Sequence, residues 1–218
     1  MLIDLSHTIE HGMITYKGLP APLICDFLSH ENSKDLYENA EFQIDKIELI
    51  SNTGTYVDCP FHRYRDGKDL SETSLEKFAN LPGVVISHSY KKGIEIGKSD
   101  FESIDITGKA VLVHTDWSDH WGTDMYFENH PFITEEAAHY LRDVGVRLLG
   151  IDAYNVDDTR TKRRPVHSIL LGEEILIVEH LCHLDLIPKN KAFVFNAVPP
   201  KIKGMGTFPV RAYAQIFS

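Results

Sequence analysis

Residues Ser51 to His62 read Ser-Asn-Thr-Gly-Thr-Tyr-Val-Asp-Cys-Pro-Phe-His. A turn of small residues (Thr53, Gly54, Thr55) leads into Asp58, Pro60 and His62. A carboxylate and an imidazole four residues apart, beside a rigid proline, form half of a metal site. The other half must come from elsewhere in the chain. The preceding residues, 41–50, alternate apolar with polar and predict a half-buried strand that delivers the chain into this stretch.

Working outward, short runs rich in β-branched residues predict buried strands at 83–87, 109–114, 146–152 and 175–179. Two further strands are expected at 192–198 and 207–216, and one at the N-terminus around Leu2, Ile3 and Leu5. Residues 70–80 read as a short helix opened by Ser71 or Thr73, with Leu75, Phe78 and Leu81 inward. Thr134 is placed to N-cap a helix with Glu135 and Glu136 in its first turn, where acids suit the helix dipole. That helix should stop near Gly145. Residues 165–171 suggest one more short helical segment. Many strands and few helices, without a regular βα repeat, predict a single mixed α/β domain over residues 1–218 with a central, partly closed sheet.

Composition narrows the function. The chain has 218 residues, 43% hydrophobic and 25% charged, which suits a soluble globular domain. A net charge of −10 argues against nucleic acid and anionic membrane surfaces as partners. No basic n-region with an apolar core opens the chain, and no apolar run is long enough to span a bilayer. Three scattered cysteines, Cys25, Cys59 and Cys182, suit reduced thiols in a cytoplasmic protein.

Two later residues complete a candidate metal set. His167 follows Pro165 in a loop after a charged stretch (Arg160 to Arg164). Glu179 closes an apolar strand, where a lone buried carboxylate is costly unless paired or bound to metal. Asp58, His62, His167 and Glu179 form a mixed nitrogen and oxygen set suited to Zn²⁺ or Mn²⁺. Each also has a plainer reading. Asp58 can cap the Thr55 turn, His62 can be a surface histidine, His167 can be a packing residue, and Glu179 can reach water at a strand end. His180 and His183 read as structural, because His180 would point away from Glu179 on a strand. Trp117 and Trp121 read equally as pocket walls or core. Cys59 has no evident base and does not read as a nucleophile.

The stretch resembles the signature His-x-Gly-Thr-His-x-Asp-x-Pro-x-His of the cyclase family, which includes bacterial kynurenine formamidases and isatin hydrolases. Gly54, Thr55, Asp58, Pro60 and His62 match it. The resemblance extends over nearly the whole chain: Ile3 to His7 with Gly12-Met13, Val111 to Trp117, Gly150-Ile151-Asp152 with Val156-Asp157, Pro165-Val166-His167, Ile177-Val178-Glu179, and Pro209 to Ala212. Asp116 stands where the family usually has glycine. The resemblance implies a swivelling β/α/β domain, a homodimer or higher oligomer, and hydrolysis of a small amide or cyclic amide by metal-activated water, as in the arylformamidases of tryptophan catabolism.

In such formamidases two metals share the aspartate. Carried over, Asp58, His62, His167 and Glu179 keep the second site. The two histidines of the first site are replaced by Asn52 and Tyr56. A neutral amide and a phenol with an ordinary pKa near ~10 are poor ligands, so one well-bound ion per chain is expected. Tyr56 is then a candidate catalytic residue beside His62, donating a hydrogen bond to a developing oxyanion. Loss of the first site also admits other readings: a metal-containing binding or regulatory protein without turnover, or a metal-dependent lyase or cyclase.

Overall fold

The computed structural model describes every residue except Asn39 and Ser218. In chain order the strands are β1 (Leu2–Asp4), β2 (Leu23–Leu28), β3 (Ile44–Glu48), β4 (Tyr56–Asp58), β5 (Leu81–Ser87), β6 (Glu95–Ile96) and β7 (Ala110–His114). They continue as β8 (Phe132–Ile133), β9 (Leu148–Ile151), β10 (Leu176–Glu179), β11 (Phe193–Asn196), β12 (Thr207–Pro209) and β13 (Tyr213–Ile216). The α-helices are α1 (His30–Ser33), α2 (Glu135–Asp143) and α3 (Pro165–Gly172).

Nine strands make one mixed sheet in the order β1-β13-β11-β5-β7-β9-β10-β4-β12, curled into a half-barrel. Its centre, β5-β7-β9-β10, is parallel, and the flanking pairs are antiparallel. β7, β9 and β10 are apolar apart from His114 and Glu179, which end β7 and β10, because both faces are covered, as parallel strands require. Val111, Val113, Leu149, Ile151 and Ile177 face one core with α2 and α3. The alternating residues Ala110, Leu112, Leu148, Leu176 and Val178 face a second core with β1, β11 and β13. The mixed α/β class expected from the sequence is the class observed.

Register positions the site. β4 lies between β10 and β12. On one side Tyr56 pairs with Glu179 and Asp58 with Ile177. On the other, Asp58 pairs with Thr207 and Tyr56 with Pro209. Directly opposed residues share a face of the sheet, so Tyr56, Asp58, Glu179 and Thr207 project together. Two glycines permit the approach. Gly54 has φ of 65°, and a Cβ there would lie 2.8 Å from Ile9. A Cβ on Gly206 would lie 2.2 Å from the backbone nitrogen of His62.

Several expectations are corrected. The 41–50 segment is not half-buried. β3 is exposed throughout and pairs only with β2, in a two-stranded ribbon standing off the main sheet. Residues 70–80 do not form an α-helix. The Asp69 carboxylate accepts from the backbone nitrogens of Ser71 (2.8 Å) and Glu72 (3.0 Å), drawing the chain into a turn that competes with helix. Only a 3₁₀ turn at Leu75–Lys77 remains, with Leu75 exposed and Phe78 and Leu81 buried. Residues 207–216 hold two strands, β12 and β13. His167 lies in the first turn of α3 rather than in a loop, because Pro165 fits the first helical position. As expected, Thr134 caps α2 by accepting from the Ala137 nitrogen.

Candidate metal centre

Asp58, at the end of β4, and His62, in the 3₁₀ turn that Pro60 opens, meet His167 from α3. One ligand atom from each lies within 4.8 Å of the other two. Among the described residues this is the one such cluster of three or more histidine, cysteine or acidic side chains. His62 Nδ1 is 3.5 Å from Asp58 Oδ1, and His167 Nε2 is 3.6 Å from Asp58 Oδ2. Glu179 lies just outside the trio, with Oε1 3.8 Å from His167 Nε2.

Each member is held from behind. Asp157 Oδ2 is 2.6 Å from His167 Nδ1, which fixes a proton there and makes Nε2 the nitrogen that would give up its proton to a cation. The same carboxylate accepts from the backbone nitrogens of Val166 (2.8 Å) and His167 (3.2 Å), so it also caps α3. Thr207 Oγ1 donates to Asp58 Oδ1 and is 2.8 Å from His62 Nδ1. Its one proton is spent on Asp58, so Nδ1 of His62 must be the donor and Nε2 is left basic. Glu179 accepts from the Val156 nitrogen at 2.7 Å, from the Tyr56 hydroxyl, and from Asn155 Nδ2 at 3.4 Å.

These residues fit a divalent cation. Asp58 is fully buried, and its Oδ2 has no hydrogen-bond partner. A buried carboxylate oxygen without a partner is costly, and this one lies 3.6 Å from Nε2 of His167, too far for a hydrogen bond. Burial opposes charge on His167, yet its bond to Asp157 and the nearby carboxylates of Asp58 and Glu179 outweigh this and raise its pKa to about 10. Burial and then the Asp58 charge, against the opposing pull of His167, hold the Glu179 carboxyl up at about 7. Three buried carboxylates therefore make a field that demands positive charge at their centre.

The remaining candidates fall into place around this cluster. Tyr56 is completely buried, and burial together with the Glu179 and Asp58 charges pushes its phenol well above the ordinary value. It stays a neutral phenol, and its proton is committed to Glu179, not directed freely into the pocket as an oxyanion donor requires. Asn52 lines the same pocket, and its amide oxygen accepts from the Ser51 hydroxyl at 3.1 Å. Asp58 does not cap the Thr55 turn. His180 is buried, turned away by a φ of 58°, with Nδ1 3.2 Å from the Tyr126 hydroxyl. His183 Nδ1 contacts the Asp4 carbonyl oxygen at 3.1 Å. Trp117 is core, its indole N–H donating to the Tyr126 carbonyl at 3.0 Å. Trp121 stacks on His7, with ring centres 3.8 Å apart. Burial raises the Cys59 thiol to about 11, so it is no nucleophile at neutral pH. Asp116 has φ of 64°, which explains the family's usual glycine there.

Sequence reasoning did not single out Asp157, Thr207 and Asn155 as partners of the centre. Thr207 carries no local signal. In the sequence Asp157 is marked only as part of a segment that resembles the family, and its place before a helix that begins with proline and histidine is the further signal for a partner of His167.

The pocket over the cluster measures about 270 Å³, room for one small molecule. Comparison with known proteins extends this picture. The chain matches the family described as "Putative cyclase" over residues 3–158. It is 31% identical over 212 residues to a kynurenine formamidase of Geobacillus thermodenitrificans, covering 96% of this chain and 95% of that protein. A solved "predicted metal-dependent hydrolase" from Bacillus stearothermophilus is similar at 26% identity and a TM-score of 0.78, covering 98% of this chain and 97% of that one. The fold is shared with isatin hydrolase A from Labrenzia aggregata, with a TM-score of 0.83 at 23% identity and coverage of 98% and 93%. A half-barrel that brings Asp58, His62 and His167 together, with a family match over most of its length, places this chain in the cyclase family.

Proposed function

We propose that this protein is a metal-dependent hydrolase that cleaves the C–N bond of a small amide, with an aryl formamide such as N-formylkynurenine as the first substrate to test. The observation that carries the reading is the buried, unpartnered Oδ2 of Asp58 facing the Nε2 of His167 beneath a small pocket. Kinship to proteins named kynurenine formamidase supports it. Asp58, His62 and His167 would hold the ion, and Glu179, which borders the cluster, would supply a fourth ligand. The donor set suits zinc, with manganese the alternative, and one ion per chain. Such an ion supplies Lewis acidity toward water and a carbonyl oxygen.

The chain's own residues do the rest. Thr207 orients Asp58 and His62, and Asp157 orients His167. Tyr56, Asn155 and the Val156 nitrogen fix the Glu179 carboxylate. Tyr56 therefore acts as a positioning residue, while His62 touches the reacting centre directly. A cytoplasmic homodimer acting on a small molecule, in tryptophan catabolism, is the biological setting we propose. The test is turnover of N-formylkynurenine by the metal-loaded protein, with product identified by mass. Hydrolysis that is lost in His62→Ala and on chelation is expected. Metal bound without turnover of any amide or ester would overturn the reading.

A further inference from the structure

Two arginines line the pocket beside the metal-binding cluster: Arg63, next to His62, and Arg164, at the head of α3. Among the described residues neither has a carboxylate within 4.0 Å, whereas Arg142, Arg160, Arg163 and Arg211 each have one. Acids outnumber basic residues 32 to 22 in this chain. Arg65 and Arg147 also lack such a partner, so what sets Arg63 and Arg164 apart is that both line this pocket with guanidinium edges that no acid of the chain neutralises.

Arg164 is also fixed in place. Its Nη1 donates to the carbonyl oxygens of Arg163 (2.7 Å), Thr161 (2.8 Å) and, more weakly, Asp158 (3.4 Å). That leaves Nε and Nη2 uncommitted. Arg63 is held by one bond, Nε to the Ser168 hydroxyl at 3.0 Å, which leaves both terminal nitrogens free. Tyr16 and Leu19 supply an aromatic and an apolar wall to the same pocket. Two uncommitted guanidinium edges suit a carboxylate, and the apolar wall suits the body that carries it.

We propose that Arg63 and Arg164 form an anion-binding subsite, so that the substrate is an amide bearing a separate carboxylate. The arginines hold that carboxylate while the amide carbonyl reaches the cluster of Asp58, His62 and His167. They are specificity residues and take no part in the bond cleavage. This rests on the hydrolase reading above.

The test compares N-formylkynurenine with its methyl ester, which keeps the formamide and removes the anion. Wild-type protein should favour the acid by roughly ten- to a hundredfold in kcat/KM, mostly through KM, as expected for lost hydrogen bonds to a charge. Arg63→Gln and Arg164→Lys should each narrow that ratio toward one while bound metal and melting temperature hold. Equal turnover of acid and ester by wild-type protein would overturn the subsite and leave the hydrolase intact. Should neither compound be turned over, N-formylkynurenine is not the substrate, and calorimetric binding of kynurenine against its methyl ester decides the subsite alone. Preferential binding of kynurenine that both variants abolish supports it, and equal binding overturns it.

Discussion

Tyr56 and Glu179 are register partners on the antiparallel strands β4 and β10, and the Tyr56 hydroxyl donates to Glu179 Oε2. A phenol therefore buttresses the carboxylate that borders the candidate metal cluster, from a position where the resembled signature has a histidine. Replacing Tyr56 with Phe should cost about 1–3 kcal/mol of stability, the usual penalty for depriving a buried charged acceptor of one donor. Denaturant unfolding of metal-loaded protein measures this. A Tyr56→Phe variant as stable as wild type, with unaltered metal affinity, would show that the hydroxyl positions nothing.

Asp157 sets the tautomer of His167 while capping α3. Asp157→Asn should weaken metal binding by roughly 10- to 100-fold, the usual effect of removing a partner behind a histidine ligand. Competition with a chromogenic chelator reads the affinity, and circular dichroism checks that α3 persists. Unchanged affinity would remove Asp157 from the site.

Thr207→Val keeps the shape and removes the hydroxyl shared by Asp58 and His62. The expected result is a loss of about 1–3 kcal/mol in stability, with metal affinity falling in parallel. Thr207→Ser should restore most of both. A variant series in which serine behaves like valine would point to lost packing instead.

Chelated protein should lose stability as the pH rises from 7 to 10. The pKa of His167 is raised in the folded state to about 10 from an ordinary 6.5. Its stabilising contribution is fully present below pH 6.5 and is lost as pH rises through the folded value. Glu179, also raised, to about 7, acts in the same direction at lower pH. His7 and His130, both lowered by burial to about 4, oppose that slope below pH 6.5. Between about pH 7 and 8.5 His167 dominates the slope, and above it the buried thiols of Cys59 and Cys182, raised to about 11 and about 12, add to the loss in the same direction. Unfolding curves with and without added zinc check this, and rescue by the cation should grow with pH as its ligands lose protons. A flat profile for the chelated protein would count against the charged cluster.

Much of this architecture was legible in the chain. The buried strands β5, β7, β9 and β10 announce themselves as β-branched runs, and Thr134 with two acids announces α2. Asp58, His62 and His167 were legible from the spaced motif and its resemblance. Asp58 and Glu179 each had an alternative open in the sequence, and burial closes both. The ribbon of β2 and β3 was misread because its alternation is the pattern of a half-buried strand, whereas among the described residues no second layer covers β3 and all its positions are exposed. The 70–80 helix was misread because one side chain, Asp69, redirects the backbone. Thr207 joins the site only through its register against Asp58, which no local pattern encodes. Arg63 and Arg164 were visible as charges but not as neighbours, since 101 positions in the sequence separate them.

The most direct measurement is metal content with location. Elemental analysis of purified protein, with an anomalous difference map from zinc-loaded crystals, should find one ion per chain between Asp58, His62 and His167. Asn52→His combined with Tyr56→His should raise the count to two by restoring the first-site ligands. One ion in wild type and two in the double variant is the expected result. Two ions already in wild type, or an ion seated away from Asp58 and His167, would contradict the site described here.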